Sequence, residues 1–231
     1  MTTTYEHIPV MRDRVVELLA PALSGDDALL VDATLGLGGH TEAFLEMFPS
    51  LRVLGIDRDR EAIDHASARL EPFGDRFVAF HGRYDQIAEA LDSLRAGRTA
   101  QGVLLDLGVS SLHLDKPERG FSYSQDAPLD MRMNAEDDTR ASDILATYSL
   151  DELADMFRTL GDEKLAGRYA RAIVSHREAQ PFVSTGELVE VLQEATPYAL
   201  KDRGHPAKRV FQALRMEVNN ELGSLAAVLP I

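Results

Sequence analysis

Four short runs in the first half of the chain are continuously rather than alternately apolar: Ala28 to Thr34 (ALLVDAT), Leu51 to Asp57 (LRVLGID), Arg76 to Gly82 (RFVAFHG) and Gln101 to Leu107 (QGVLLDL). Runs this short and this apolar suit strands covered on both faces, the condition of a parallel sheet. Between them lie GGHTEAFLEMF, REAIDHASARL and YDQIAEALDSLRA, each with helical spacing of its apolar residues. Alternation of strand and helix restricts the fold to the α/β class, a doubly wound, Rossmann-like sheet.

After Leu107 the pattern changes. Gly108 to Asp138 is rich in Gly, Ser, Pro and Asp, a connection long enough to be either functional or disordered. Helices with readable starts follow. Ser149 with Glu152, and Ser184 with Glu187, form Ser-x-x-Glu capping boxes, and Gly161 stops the helix that the first box opens. A last long helix is expected from Pro206, with Val210, Phe211, Leu214, Val218, Leu222 and Leu225 as one apolar stripe. The expected organisation is a cofactor-binding core over 1–110, an all-helical insertion over 111–215 and a returning helix over 216–231.

Composition removes several classes of function. The chain has no cysteine, which excludes disulfides, thiol catalysis and cysteine-based metal centres. Its seven histidines are scattered and its Asp-rich loops lack a calcium-loop pattern, so no metal is expected. No run approaches the ~18 apolar residues of a membrane span. The start, MTTTYEHIPVMRDR, does not read as a secretory signal, so the expected location is cytoplasmic. A net charge of −14 opposes non-specific binding to polyanions but leaves room for a local basic patch.

The stretch Val31 to Leu45, VDATLGLGGHTEAFL, carries the chemistry. A P-loop would need a lysine after its glycines, and none is near. The dinucleotide fingerprint Gly-x-Gly-x-x-Gly, counted from Gly36, would put its third glycine at Thr41, which disfavours a nicotinamide-dependent dehydrogenase. What remains is a glycine turn that lets a ligand approach the backbone. Asp57, about 20 residues farther on at the end of the second run, is placed to accept hydrogen bonds from ribose hydroxyls. Tyr84, just beyond the third run, can pack on an adenine face, and Asp106 ends the fourth run. In an open α/β sheet these tips share the carboxyl edge, where ligands bind. This is the pattern of a class I S-adenosylmethionine site. Taken singly, Asp57 reads as a solvated strand-end acid, Asp32 as a brace for the turn and His40 as a cap or packing residue. Taken together, binding is the better reading.

The segments HIPVM (His7 to Met11), DATLGLGGHT, GIDRD, DLGVSSLHLDKPERGFSYSQDAPLDMRM (Asp106 to Met133) and HPAKRVFQALRMEVNNEL (His205 to Leu222) resemble the bacterial 16S rRNA (cytosine-N4)-methyltransferase family, MraW. The resemblance implies S-adenosyl-L-methionine as donor and, as target, the exocyclic N4 of a cytidine in the decoding region of 16S rRNA, with the assembled small ribosomal subunit as the expected partner. It implies cofactor contacts at Gly38, Gly39, His40, Asp57, Tyr84, Asp106 and His113. The family often has Phe at the position of Tyr84 and commonly Gln at that of His113. No membrane partner is implied, and a homo-oligomer is compatible with the sequence.

An exocyclic amine is a weak nucleophile because its lone pair is delocalised into the ring. An acceptor at the fourth strand tip, Asp106, can polarise the N–H bonds and orient that lone pair, so Asp106 is the candidate catalytic residue. Lys164, Arg168 and Arg171 at i, i+4 and i+7, and Lys208 with Arg215 beside Arg203 and Arg209, form stripes suited to phosphate, or equally to solvent. Family members continue past the position of Ile231 into further core strands. The chain is therefore expected to be C-terminally truncated, with its fourth strand bare on one side. The alternative to an enzyme is a remnant that binds cofactor or RNA weakly or folds poorly.

Overall fold

The computed structural model describes residues 9–94, 99–200 and 204–230. The chain divides into two compact units, Met1–Ser111 with Gly223–Ile231, and Leu112–Leu222. His7 and Ile8 of HIPVM, and Arg203 of the second basic stripe, lie outside the described residues.

The first unit runs α1 (Arg12–Leu23), β1 (Leu29–Asp32), α2 (Gly39–Met47), β2 (Arg52–Asp57), α3 (Arg60–Leu70), β3 (Phe77–His81), α4 (Ile87–Ser93) and β4 (Gly102–Leu104). The four strands are parallel in the order β3-β2-β1-β4. Successive residues of the central strands face opposite layers. Leu30 and Val53 pack with Leu23, Phe44 and Leu70 from α1, α2 and α3. Leu29, Val31, Leu54 and Ile56 pack with Ile87 and Ala90 of α4 and with Val228 near the end of the chain. All four residues of β1 are buried, which is why that run shows no polar alternation. The α/β class and the doubly wound sheet are as expected.

The fourth strand is shorter than its apolar run. Leu104 still accepts the Ala33 N–H (2.9 Å), but the Asp106 N–H turns to the Thr34 hydroxyl (2.7 Å) and leaves the ladder. Among the described residues β4 has β1 as its one neighbour, and Val103 is exposed.

The second unit is helical. It contains the short α5 (Ser111–Asp115), then α6 (Ala141–Thr147), α7 (Leu150–Thr159), α8 (Ala166–Ala179), α9 (Thr185–Ala195) and α10 (Ala207–Val218); α11 (Glu221–Val228) leads back into the first unit. Both capping boxes form. The Glu152 N–H donates to the Ser149 hydroxyl while the Glu152 carboxylate accepts the Ser149 N–H (2.7 Å). Ser184 and Glu187 repeat the exchange.

Two expectations are corrected. The single helix from Pro206 is two helices, because Asn219 ends α10 and Asn220 takes a left-handed conformation (φ 47°). The apolar stripe across that break is not one face, and Leu222 is exposed. The long connection after Leu107 is ordered from within by side-chain bonds. The Arg119 guanidinium donates to the carbonyls of Arg132 and Met133, and Asp130 holds Arg132 through both carboxylate oxygens (2.8 and 2.7 Å). The Gly186 N–H donates to Asp126 (2.8 Å), and Ala127 and Thr185 exchange two bonds, fixing the connection to the start of α9.

Asn219 closes the other end. Its buried amide accepts the Met133 N–H (2.8 Å) and donates to the carbonyls of Met131 and Arg215 (2.8 Å each). Replacing it by Ala leaves those backbone groups without their side-chain partner, so Asn219→Ala is expected to destabilise the helical unit by about 3 kcal/mol. A urea titration checks this; an unchanged midpoint would mean that the amide does not fasten the connection.

Candidate cofactor site

In the first unit the chain builds outward from β1 to β2 and β3, then returns to β4 on the other side of β1. The carboxyl edge between β1 and β4 is therefore the topological switch point, where open α/β sheets hold ligands. The turn leaving β1 begins at Asp32, which is 1% exposed. Its carboxylate accepts the Thr41 hydroxyl (2.7 Å) and the Thr34 N–H (3.3 Å). Burial pushes this carboxyl up to about 6, against the opposing pull of the Thr41 bond and of nearby His40. Thr41 thus has its own task where a dinucleotide fingerprint would place glycine.

The three glycines of the turn differ in what surrounds them. A Cβ on Gly38 (φ +79°) would stand 3.1 Å from Leu70 and 3.3 Å from Ala66, so this glycine lets α3 close on the turn. A Cβ on Gly39 would stand 2.5 Å from Pro9, the first described residue of HIPVM. At Gly36 (φ +52°) the nearest atom to that position is the Thr34 carbonyl oxygen at 3.9 Å, which leaves open space on that flank.

Asp57, at the tip of β2, reaches across to the turn. One carboxylate oxygen accepts the Gly36 N–H (2.8 Å) and the other the Asp59 N–H (2.9 Å). Both oxygens of Asp57 thus brace the turn and the start of the segment after β2. His81, at the tip of β3, donates from Nε2 to the Arg58 carbonyl (3.0 Å) and accepts from Arg60 at Nδ1 (3.1 Å), which stitches the turn after β2. Tyr84 lies half-buried on the core layer that contains Ile56 and Ile87.

Asp106 follows β4. Its backbone is fixed by Thr34, while its side chain is 45% exposed. His40 is buried beside it, with Nδ1 4.0 Å from the Asp106 carboxylate and Nε2 3.1 Å from the Val10 carbonyl. A carbonyl only accepts, so Nε2 carries the hydrogen and Nδ1 is the face turned to Asp106. Gly38, Gly39, His40, Asp57, Tyr84 and Asp106 all belong to the first unit. His113 belongs to the second, where its buried ring stacks on Phe121 with centroids 4.8 Å apart. Sequence reasoning missed Thr34, whose N–H serves Asp32 and whose hydroxyl serves Asp106. The one available signal was a hydroxyl residue between the strand and the glycines.

The basic stripes of the second unit are partly engaged in structure. Arg168 donates to the carbonyl of Ala195, Arg209 binds Asp162, and Arg215 pairs with Glu221 through two bonds (2.7 and 3.0 Å). Lys164 precedes α8 rather than sharing its helical face.

Comparison with known proteins follows this geometry. The MraW methylase family model matches residues 4–231. A ribosomal RNA small subunit methyltransferase H from Mycobacteroides abscessus is 57% identical over 98% of this chain, which covers 61% of that protein. Its counterpart in Clavibacter michiganensis subsp. michiganensis is 56% identical over 97% of this chain and 70% of its own length. That of Mycolicibacterium gilvum is 54% identical over 100% and 62% respectively. The chain therefore spans 61 to 70% of the length of these relatives.

The buried Asp32 has a consequence for stability. Its carboxyl titrates near 6 in the folded chain and near 3.8 when unfolded, so folding takes up a proton between those values. The contribution is full below pH 3.8 and is lost as pH rises through about 6. Relative to Asp32→Asn, the parent chain is expected to gain about 1 kcal/mol on going from pH 7 to pH 5. Denaturant titrations of both chains at the two pH values check this, and parallel pH dependences would remove Asp32 as the cause.

Proposed function

The chain belongs to the MraW methylase family, and on that premise we propose that it transfers a methyl group from S-adenosyl-L-methionine to the exocyclic N4 of a cytidine in the decoding region of 16S rRNA. The observation that carries this reading is the switch-point edge, where an open glycine flank at Gly36, the Asp57 carboxylate and the exposed Asp106 carboxylate converge on one sheet end. The natural substrate is taken to be the RNA of the assembled small subunit, and the setting cytoplasmic. No described helix is long and apolar enough to cross a membrane.

The residues fit such a donor. The flank of Gly36 admits a ligand against the backbone, and the Asp57 carboxylate beside it is an acceptor of the kind ribose hydroxyls need. With no lysine or arginine in the turn, nothing there calls for a phosphate-bearing ligand. We assign Gly38, Gly39, His40, Asp57, Tyr84, Asp106 and His113 to this cofactor. When bound, it supplies an electrophilic methyl carbon.

The chain's own groups then have separable tasks. The two backbone bonds to Asp57 hold its carboxylate in one rotamer, so ribose hydroxyls meet a preorganised acceptor. Asp106, anchored through its own N–H, accepts an amine N–H at its carboxylate, which turns the nitrogen lone pair out of conjugation and fixes its direction of attack. The proton released as N4 gains a carbon leaves through the same exposed carboxylate. His40 presents Nδ1 to that carboxylate and limits where it can swing. The target base must be unpaired or turned out of its stack to reach this edge.

Titration calorimetry with S-adenosylmethionine tests the cofactor half of the proposal. Binding is expected, and Asp57→Ala is expected to weaken it about 10-fold; equal affinity would remove Asp57 from the ribose role. A folded chain that leaves the cofactor unbound would favour a non-catalytic remnant. For the chemistry, Asp106→Asn is expected to lower methyl incorporation into small subunits at least about 100-fold. Near-parental turnover of that variant would sink the orienting role.

A further inference from the structure

We propose that the second unit binds single-stranded RNA on the face where the first turn of α8 meets the end of α9, with a nucleobase stacked on Tyr198 and phosphates against Lys164, Arg168 and Arg171. This deepens the reading of RNA as substrate and rests on it.

Tyr198 is the starting observation. It is 90% exposed, whereas no other large apolar side chain among the described residues exceeds 72%. A flexible tail would explain such exposure, but this ring stands on a braced turn. Leu200 N–H donates to the Pro197 carbonyl (2.9 Å). The buried Thr196 hydroxyl bonds the Leu192 carbonyl (2.7 Å) and meets the Tyr169 hydroxyl (2.8 Å). Arg168 holds the carbonyl of Ala195. An aromatic face on a rigid mount, bare to water, is the form of a stacking platform.

Lys164, Arg168 and Arg171 bring positive charge to the start of α8, while α9 contributes the exposed acids Glu190 and Glu194. Lys164 and Arg171 are exposed and have no ion-pair partner among the described residues, and Arg168 offers its terminal nitrogens beyond the Nε bond. Arg171 folds back, its Nη1 lying 4.0 Å from where a Cβ on Gly167 would stand, so its head returns toward the first turn of α8. Helix α8 holds Arg168, Arg171 and Arg177 against the single acid Glu178, in a chain of net charge −14. Of the acids beside this face, Glu163 is engaged by the Leu165 N–H (2.8 Å), and Glu194 is exposed on α9. Tyr198 lies three residues from the carbonyl that Arg168 grips, hence within about 10 Å of it, the span of a dinucleotide. Exposed cations near an exposed ring match a polyanion with flat bases, and single-stranded RNA is the partner with both.

The chain contains no tryptophan, so Tyr198→Trp introduces a unique emission at the platform. The probe is a short single-stranded RNA of mixed sequence, labelled for anisotropy and unlabelled for quenching. Tyr198→Trp is expected to bind it as the parent does, with its emission quenched on binding. Tyr198→Ala is expected to bind about 10-fold more weakly or worse, with unchanged thermal unfolding. Lys164→Glu combined with Arg171→Glu is expected to weaken binding and flatten its salt dependence. The proposal is overturned if Tyr198→Ala binds as the parent does, if the Trp emission ignores bound RNA, or if the parent chain does not bind the probe. Methyl incorporation separates this proposal from the reading beneath it. A chain that binds RNA through Tyr198 but transfers no methyl group refutes the function and leaves the platform standing. A chain that methylates RNA equally well as Tyr198→Ala refutes the platform alone.

Discussion

A glycine turn has no side chains with which to hold its own shape, and in this chain two carboxylates from neighbouring strands hold it instead. Asp32 grips the turn from β1 through Thr34 and Thr41, and Asp57 grips it from β2 through the Gly36 N–H. Everything at the sheet edge depends on that pair of braces. Thr34, once fixed by Asp32, presents the hydroxyl that pulls the Asp106 backbone out of the β4 ladder. His40, in the first turn of the helix that follows, comes to lie beside the Asp106 carboxylate. Burying Asp32 is costly for an ionised group, as its raised pKa records, and two hydroxyl or amide donors only partly offset that cost. The chain carries this cost at the one place where a loop without side chains must keep a single geometry.

Much of this architecture was legible before any coordinates. Unbroken apolarity in ALLVDAT and LRVLGID followed from layers of helix on both sides of β1 and β2, and the two Ser-x-x-Glu boxes marked α7 and α9 because capping is a local interaction. What stayed hidden were bonds between distant residues. The Asp106–Thr34 bond spans 72 residues and the Met133–Asn219 bond spans 86. Neither leaves a periodicity. The apolar stripe from Val210 to Leu225 suggested one helix because periodicity reports burial. It does not report that Asn219 is drawn away to serve the connection near Met131, nor that Asn220 adopts a left-handed turn. At the sheet edge, Asp57 and Asp106 could be placed at strand ends from sequence, but the bond by which Asp57 braces the Gly36 turn could not.

The connection from Arg119 to Met133 shows how a segment without helix or strand becomes rigid. Isolated backbone bonds, such as Leu129 N–H to the Val183 carbonyl and Met131 N–H to the Arg119 carbonyl, are joined by side chains: Arg119 and Asn219 on the backbone of Met131 to Met133, Asp126 on the start of α9, and Asp130 on Arg132. Burial pushes the Asp130 carboxyl up, and the Arg132 bonds and charge outweigh it, leaving that carboxyl below its ordinary value. A motif that reads as an irregular loop in sequence is thus a knot of specific bonds. That explains why its residue types look so particular. It also separates two meanings of a distinctive motif, since distinctiveness here comes first from the demands of folding.

For the RNA substrate proposed above, the acidity of the chain bears on where phosphate can be met. The sheet edge of the first unit gathers the carboxylates of Asp32, Asp57 and Asp106, which would repel a phosphate. A polyanionic substrate would therefore not be gripped by the groups proposed to hold the cofactor and orient the amine. Its backbone charge would be met elsewhere, and Lys164 and Arg171 of the second unit, exposed and without an ion-pair partner among the described residues, are the cations proposed for that task. The target base would then be the only part of the substrate that the carboxylates need to admit. A cytosine carries no charge and offers them an N–H, so the negative field that excludes phosphate is the same field that favours the amine.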